Sequence, residues 1–390
     1  MRARKYTFYI CGSISVYEDS ALKPLSNVDA HMVLGELIEE PLTVEELGRR
    51  TGLSGEEVSR IIGDLLRTRV VRKVGDKLRL NICVFTRRDI YRLREVGFTA
   101  GEELADLVVG NLDWVDPMLK KLSCYPYSSL ELLRLVVIGA YTLDLCVLKL
   151  LFERGLALCS VKKHPGGEYV LFGREVLDAE EHRRLLRGVY YGCHSDTWGR
   201  YTFRTFGDHS GYRHAFPDVV WSRREPVMRR LEEVSEDVGE AMEEVGLLLE
   251  RIACEGGVVE LERLDVVGAY EALASLLLEL EYIARLEAGY KLLIPVLTPE
   301  DMNVVKEISA RLSDPVMRFI EGKFEELRSS LEDLRAGRWA DFREVFTEAW
   351  HWIFGAANNI LANRGYMAKP TSKGDEAEYV KWLEITSAAE

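Results

Sequence analysis

The sequence predicts a mainly α-helical fold with small β elements (α+β), built as two diverged copies of one unit in tandem. Three observations predict it: similar stretches recur in the same order in both halves, capping motifs open two consecutive helices, and a hairpin pattern follows them. The 390 residues are enough for two to four domains.

Self-similarity between the halves is the first of these observations. The matched stretches, at spacings of 195, 212 and 210, are 6–17 with 201–212, 65–95 with 277–307, and 151–170 with 361–380. They share Tyr-Thr-Phe in the first pair and Glu-Tyr-Val in the third. Chance rarely produces three matches in one order, so we predict a tandem duplication with a pseudo-two-fold arrangement. The join falls between about Asp196 and Arg200, and the extra residues of copy two fall near Arg223 to Glu244.

The elements of copy one follow from local patterns. A strand is expected at Lys5 to Cys11, and apolar spacing predicts a helix over Ala30 to Glu39. Thr43-Val-Glu-Glu46 and Ser54-Gly-Glu-Glu57 are capping boxes, in which a side-chain oxygen and a glutamate satisfy free amides at a helix start. They predict a second helix to about Arg50 and a third helix whose apolar face begins at Val58.

A two-stranded hairpin is predicted next, over Val70 to Val74 and Leu78 to Leu80, with Gly75-Asp76 at its tip. Helices are expected over about Arg87 to Leu122 and Ser128 to Arg154. Each copy is then expected to close with a hairpin, around Glu168-Tyr169-Val170 in copy one and Glu378-Tyr379-Val380 in copy two.

Helix, capped helix, turn, capped helix and hairpin is the element order of a winged helix-turn-helix. The stretch from Leu42 to Val58, with the hairpin after it, resembles the ArsR/MarR-type winged-helix regulators. The resemblance covers about residues 29 to 90 and, at lower similarity, 242 to 303. It implies either a DNA-binding head or a protein–protein module, because winged helices serve both purposes.

Four segments are predicted from the duplication and this resemblance. They are a strand with winged helix 1 (1–90), a helical accessory part with a hairpin (91–195), a strand, linker helix and winged helix 2 (196–303), and a second accessory part (304–390).

The two predicted heads differ in charge. Arg49 to Arg79 holds nine Lys/Arg against four Asp/Glu, whereas Leu261 to Lys291 holds three against six. The whole chain carries a net charge of −13, so DNA contact requires a local basic surface. Copy one offers that surface and copy two does not. The helix predicted at Val266 to Leu280 has no basic residue and is expected to be buried against a partner or the other copy.

The candidate DNA contacts lie on the third helix and the hairpin of copy one. They are Ser54, Ser59, Arg60, Arg67, Arg72, Lys73, Lys77 and Arg79. Glu56 and Glu57 oppose them, since they place carboxylates at the end of the helix where DNA readers approach, although they also suit the helix dipole. Alternatively, this basic surface is only solvated or pairs with acidic copy two. The arginine pairs 223–224 and 229–230 either touch phosphate or form a solvated helix start.

Polar and aromatic residues concentrate at the junction between the copies. Four of them are candidates for a zinc site or a small-ligand pocket: Cys193, His194, His209 and His214. The spacing fits no standard zinc finger, and copy one has Ile14 and Asp19 in place of the last two histidines. The third interpretation is hydrogen bonding across the seam between the copies.

We therefore expect a cytoplasmic DNA-binding transcriptional regulator that uses the first winged helix, with the second as an interaction or dimerisation surface. The expected partners are double-stranded DNA and a candidate effector, with the chain a monomeric pseudo-dimer or a homodimer. Single, scattered cysteines favour a reduced compartment, and the apolar stretch Leu135 to Phe152 contains Asp144 and Lys149, which favours a core helix over a membrane span. The alternatives are a scaffold subunit that uses both heads for protein contacts and an enzyme built on the junction cluster.

Overall fold

The fold is described from a computed structural model that covers residues 6–260 and 269–387, without the side chains of residues 269–271. The chain divides into two compact units. Unit 1 comprises the chain up to Thr99, with Val147–Leu185 and Met317–Ile353. Unit 2 comprises Ala100–Cys146, Leu186–Val316 and the chain from Phe354 onward. The described chain is 54 % helical and 18 % strand, which confirms the predicted mixed α+β class.

Unit 1 begins with a strand and a winged helix. Its elements are β1 (Tyr6–Ile14), α1 (Leu22–Leu25), α2 (Val28–Glu39), α3 (Val44–Thr51), α4 (Gly55–Arg67), β2 (Val71–Val74), β3 (Lys77–Leu80) and β4 (Cys83–Phe85). Both capping boxes are present, with reciprocal bonds between Thr43 and Glu46 and between Ser54 and Glu57. The helix-turn-helix therefore forms where these local signals predict it.

The wing of this domain is the antiparallel pair β2–β3, as predicted. Leu78 on β3 is fully buried and forms a bridge to Leu42, which ties the hairpin to the start of α3. The core beneath includes Leu34, Leu47 and Val58, all without exposed surface. Each such side chain stabilises the fold by about 1.5–3 kcal/mol relative to an exposed one.

Further helices, from 5 to 33 residues long, follow the wing in each half of the chain. They are α5 (Arg87–Val109), α6 (Leu112–Leu119), α7 (Leu130–Arg134), a π-helix (Leu135–Cys146), α8 (Val147–Glu153), α9 (Ala179–Leu186), α14 (Pro299–Leu331) and α15 (Phe342–Asn363). In the described chain, one continuous helix, Leu130–Glu153, has the length and apolar composition to cross a membrane, and 72 % of its most apolar window is buried. A core helix meets the same criteria.

The predicted closing hairpins are wrong. The stretch around Glu168-Tyr169-Val170 lies in β5 (Gly167–Glu175), the central strand of a sheet ordered β1–β5–β4. Its counterpart Glu378-Tyr379-Val380 starts β12 (Tyr379–Ile385), which lies between two other strands. Tyr169 to Arg174 is buried throughout, because the strand pairs along both edges and not with its own continuation.

Unit 2 holds a second large sheet and the segment predicted as winged helix 2, of which residues 261–268 lie outside the described chain. Its elements are β6 (Gly192–Trp198), β7 (Tyr201–Gly207), α10 (Phe216–Trp221), α11 (Glu225–Glu232), α12 (Val238–Cys254), β8 (Val258–Glu260), α13 (Ala269–Glu279), β9 (Ile283–Arg285), β10 (Gly289–Leu292) and β11 (Val296–Leu297). Strands β9 and β10 and helix α14 begin 212 positions after β2, β3 and α5. The predicted helix Val266 to Leu280 is present as α13, and its first three residues lie outside the described chain.

The sheet β1–β5–β4 and the strands β7, β12 and β11 of the four-stranded sheet in unit 2 share topology and register. Strand β1 runs antiparallel to β5 and β4 runs parallel to it, as β7 and β11 do with β12. Gly12 faces Tyr169 in the first sheet and Gly207 faces Tyr379 in the second. A Cβ at either glycine would lie 2.3 or 2.1 Å from a carbonyl oxygen of the facing strand. This equivalence supports the duplication, which stays a prediction along with its pseudo-two-fold arrangement.

Candidate functional site

Helix α4 presents a polar outer face. Ser54, Ser59, Arg60 and Arg67 are exposed, whereas Val58 and its apolar neighbours are buried against the core. The capping box fixes Ser54, because its hydroxyl donates to Glu57 at 2.7 Å and accepts from the Glu57 amide at 3.2 Å. The outer face of this helix is therefore built on a rigid, well-capped element.

The wing residues divide into two groups. Arg72 and Lys73 on β2 are exposed, and Lys77 and Arg79 on β3 are half-buried. The guanidinium of Arg79 lies 5.8 Å from the centre of the Trp339 ring, an arrangement typical of a cation–π contact. Arg79 thus faces the interior of unit 1, so packing is at least part of its role.

Most of these cations lack a carboxylate partner. Within the part of the chain that the structure describes, Arg60, Arg72 and Lys73 form no ion pair, and Arg67 has only an exposed contact of 3.4 Å to Asp64. Exposed pairs of this kind contribute about 0–1 kcal/mol. Their positive charge is therefore available to an anionic partner.

The C-terminus of α4 is held by a loop that the sequence did not single out. Arg69 has the left-handed φ of 60°, and its guanidinium donates to the carbonyl of Lys163 at 3.3 Å. His164 bonds the carbonyl of Thr68 through Nδ1 at 3.0 Å. Burial lowers the pKa of His164 to about 4, so this imidazole is neutral near pH 7. The signal in the sequence was slight: helix α4 ends without a glycine, so another residue has to adopt the left-handed conformation.

The second head is built differently. Four of the eight described side chains of α13 are buried, and Glu279, at the position that corresponds to Arg67, pairs with Arg230 of α11 at 2.5 Å. Glu281 has a φ of 53° and takes the position of Arg69, with the opposite charge. Arg285 and Lys291 on the second wing are exposed. The predicted charge count over Leu261 to Lys291 includes residues 261–268, which lie outside the described chain.

The junction is a hairpin of β6 and β7 with the loop that follows it. His194 Nδ1 lies 2.7 Å from an oxygen of Asp218, and the rings of His194 and His209 are 5.5 Å apart. Burial lowers the pKa of His194, and the bond to Asp218 opposes that effect. These two histidines lie side by side, with Asp218 orienting one of them.

The other two junction residues have different surroundings. Cys193 lies 3.9 Å from the guanidinium of Arg204, and burial raises the pKa of its thiol to about 12. His214 lies 3.5 Å from Arg224 and 3.9 Å from Glu279. Over residues 6–260 and 269–387, no three His, Cys, Asp or Glu side chains form a group that could hold a metal ion. The structure thus does not bring the four predicted zinc ligands together.

Two capped helices, the turn between them and the paired wing define a winged helix-turn-helix domain in unit 1. Residues 24–78 match the family model described as the MarR family, which identifies this segment as a MarR-like winged-helix domain, of the class found in transcriptional regulators. The match covers 55 of the 390 residues, so it assigns the domain and not the rest of the chain. No curated protein and no solved structure matched the chain.

Proposed function

We propose that this chain is a cytoplasmic transcriptional regulator that binds duplex DNA through its first winged helix. One observation carries the proposal: Arg60, Arg72 and Lys73 are exposed on one MarR-like domain and form no ion pair with any described residue. Phosphate neutralisation by such cations supplies most of the affinity for DNA.

The roles of the individual residues follow from how winged helices dock. The outer face of α4, with Ser54, Ser59, Arg60 and Arg67, enters the major groove. Arg72, Lys73 and Lys77 on the wing bind the sugar-phosphate backbone and fix the register. Arg79 supports the wing through Trp339 and contributes charge at its base.

The second winged helix serves as an interaction or dimerisation surface in this proposal. Glu279 on α13 stands at the position that corresponds to Arg67, and because Arg230 is paired with it, that arginine is not available to phosphate. An acidic surface repels phosphate, so this head is suited to protein contacts. Whether the chain acts as a monomeric pseudo-dimer or as a homodimer is then a question about this surface.

An effector site at the junction completes the proposal. His194 and His209 are its central contacts, because their rings are adjacent and one oxygen of Asp218 beside them is buried without a hydrogen-bond partner. A ligand that favoured one geometry of the chain would shift its DNA affinity. Isothermal titration of His194→Ala and wild-type protein with a metabolite panel tests this, and identical profiles would remove the site.

The DNA-binding proposal predicts an asymmetry between the two heads. Arg72→Glu with Lys77→Glu should abolish retention of duplex DNA at moderate salt, because each reversal removes a phosphate contact and adds a repulsive charge. The same charge change at the second wing, Arg285→Glu with Lys291→Glu, should change the affinity little. Fluorescence anisotropy with random and genomic duplexes across a salt series measures both.

Equal loss from the two double variants would show that charge asymmetry does not locate the DNA surface. No binding by the wild type at low salt would favour the second candidate, a scaffold subunit that uses both winged helices for protein contacts. That candidate is supported by Glu56 and Glu57, two exposed carboxylates at the N-terminus of α4, where the helix would approach the bases.

A further inference from the structure

Helix α10 ends on an exposed tryptophan, just before the residues by which copy two is predicted to be longer. Trp221, the last residue of α10, is 77 % exposed, and no other large hydrophobic side chain in the described residues is exposed to that extent. Phe216 and Val219 on the same helix are buried in the core of unit 2, so the helix itself is firmly anchored. A rigid helix therefore holds an indole ring in solvent.

Arginines follow this tryptophan closely in the sequence. Residues 221–230 contain four arginines and one glutamate, in a chain of net charge −13. Arg223 has a φ of 47°, and its amide and that of Arg224 bond the carbonyls of Val220 and Val219 at 3.0 Å, which closes the end of α10. The backbone that carries the first two arginines is thus fixed.

The guanidinium groups of Arg223 and Arg229 are exposed, whereas half-buried Arg224 also lies 3.5 Å from Nδ1 of His214. Arg223 and Arg224 form no ion pair with any residue that the structure describes, and Arg224 lies 4.3 Å from the centre of the half-exposed Tyr212 ring. Arg229 has only an exposed contact of 3.7 Å to Glu225. We call Trp221, Arg223, Arg224 and Arg229 the insertion patch. Arg230 is excluded, because it pairs with Glu279.

We propose that the insertion patch binds a nucleic-acid strand, with one base stacked on Trp221 and phosphates bonded by the three arginines. Flat exposed aromatic rings beside unpaired cations match the alternation of bases and phosphates along a strand. The positive charge selects a polyanion, since it stands out on an otherwise acidic protein. The inference rests on the proposed function for the class of target, but it places a second contact on unit 2, apart from the winged helix of unit 1.

A labelled single strand tests the proposal on the full-length protein. With fluorescein-labelled oligothymidylate, Trp221→Ala should weaken binding about 5- to 150-fold, the effect of losing one stacked base. Trp221→Phe keeps a ring and should retain most of the affinity. Arg223→Glu should reduce the slope of log affinity against log salt by about 0.7, the value for one phosphate contact on a single strand.

Arg251→Glu is the matched control, because Arg251 is an exposed arginine on α12 in the same unit and the charge change is the same. It should leave both the affinity and the slope close to those of the wild type. Unchanged binding by Trp221→Ala would overturn the proposal, as would equal loss from Arg251→Glu. Trp221-dependent binding to phosphatidylglycerol vesicles without binding to the strand would overturn it in favour of a membrane surface.

The two proposals fail in different ways. If Arg72→Glu with Lys77→Glu leaves duplex binding intact while Trp221→Ala loses the single strand, the winged-helix proposal falls and the insertion patch stands. If the reverse holds, the patch is ordinary solvated surface and the winged helix remains the DNA contact.

Discussion

At the scale of single residues, the buried His164 ties the C-terminus of helix α4 to the loop before β5. It lies in the loop before β5, stacks on Tyr169 with ring centres 5.5 Å apart, and bonds the last carbonyl after α4. Its Nε2 is buried without a hydrogen-bond partner in the described chain. A second proton on this ring would therefore be poorly accommodated.

The consequence is a defined pH dependence of stability. The pKa of His164 is about 4 in the folded protein and about 6.5 in the unfolded chain, so the unfolded state binds more protons below pH 6.5. Stability from this residue is complete above pH 6.5 and declines as the pH falls toward 4. Between pH 7 and 5 the expected loss is about 2 kcal/mol.

Urea unfolding of wild type and His164→Gln at pH 7 and pH 5 measures this loss in the free energy of unfolding. The variant should lose less stability on acidification, because glutamine does not titrate and its amide can still donate to Thr68. His214→Gln removes a half-buried histidine of unit 2 whose pKa burial also lowers, and as the comparison it should change the pH dependence less than His164→Gln does. Parallel pH profiles for His164→Gln and wild type would show that His164 does not contribute.

At the scale of elements, three helices of the described chain are each followed by a residue other than glycine that has a left-handed φ. These residues are Arg69, Arg223 and Glu281. Two of them, Arg69 and Glu281, follow helices that correspond to each other in the predicted duplication. The same left-handed backbone conformation thus recurs at both positions, with an arginine in one and a glutamate in the other. In unit 1, Arg69 donates to Lys163; in unit 2, Glu281 pairs with Lys373, so a loop holds the helix end in each case.

Arg223 allows a test in which stability and binding change in opposite directions. Arg223→Gly should stabilise the protein by about 1 kcal/mol, because glycine adopts a positive φ without a clash of Cβ. The same change should weaken binding of a single strand if the insertion patch acts as proposed. Thermal unfolding and anisotropy on one preparation measure both quantities.

Arg251→Gly is the comparison, since it places glycine inside α12, where it should cost about 1 kcal/mol and leave strand binding unchanged. A destabilised Arg223→Gly would mean that the arginine side chain stabilises the end of α10, and its place in the patch would need no functional explanation.

At the scale of the whole molecule, each compact unit combines segments from both halves of the chain. Ala100–Cys146 from the first half belongs to unit 2, and Met317–Ile353 from the second half belongs to unit 1. The predicted copies are therefore units of sequence, and each compact unit needs both of them.

This exchange predicts that the half-chains do not fold alone. Residues 1–199 and 200–390, expressed separately, should lack a cooperative unfolding transition, because each would expose apolar surface that the other half covers within a unit. Co-expression should restore a folded complex that is retained on size exclusion. A cooperative thermal transition in either isolated half would contradict this prediction.

The parts of the fold that local chemistry determines were predictable. The capping boxes at Thr43 and Ser54 and the wing depend on neighbouring residues, and they form as the sequence indicates. The hairpin prediction at Tyr169 failed because the partner of that residue is Gly12, far away in the chain.

The candidate site follows the same division between local and distant determinants. The exposure of Arg60 and Arg72 follows from helix and strand periodicity. The inward position of Arg79 depends on Trp339, which no local pattern links to the wing. The grouping of His194 with Asp218 likewise depends on a turn that no local pattern indicates, so the sequence could not show that the described residues of the junction form no metal-binding group.

The exchange of segments also sets the order in which the chain can mature during synthesis. Unit 1 is not complete until Ile353 has been made, and the interval between the synthesis of Glu153 and that of Ile353 is roughly 10 to 40 s at the usual rate of about 5–20 residues per second. Throughout that interval the apolar helix Leu130–Glu153 is already made, while unit 2 still lacks its last segments. We therefore expect the nascent chain to present an uncovered apolar helix throughout that interval, which is the kind of surface that chaperones bind.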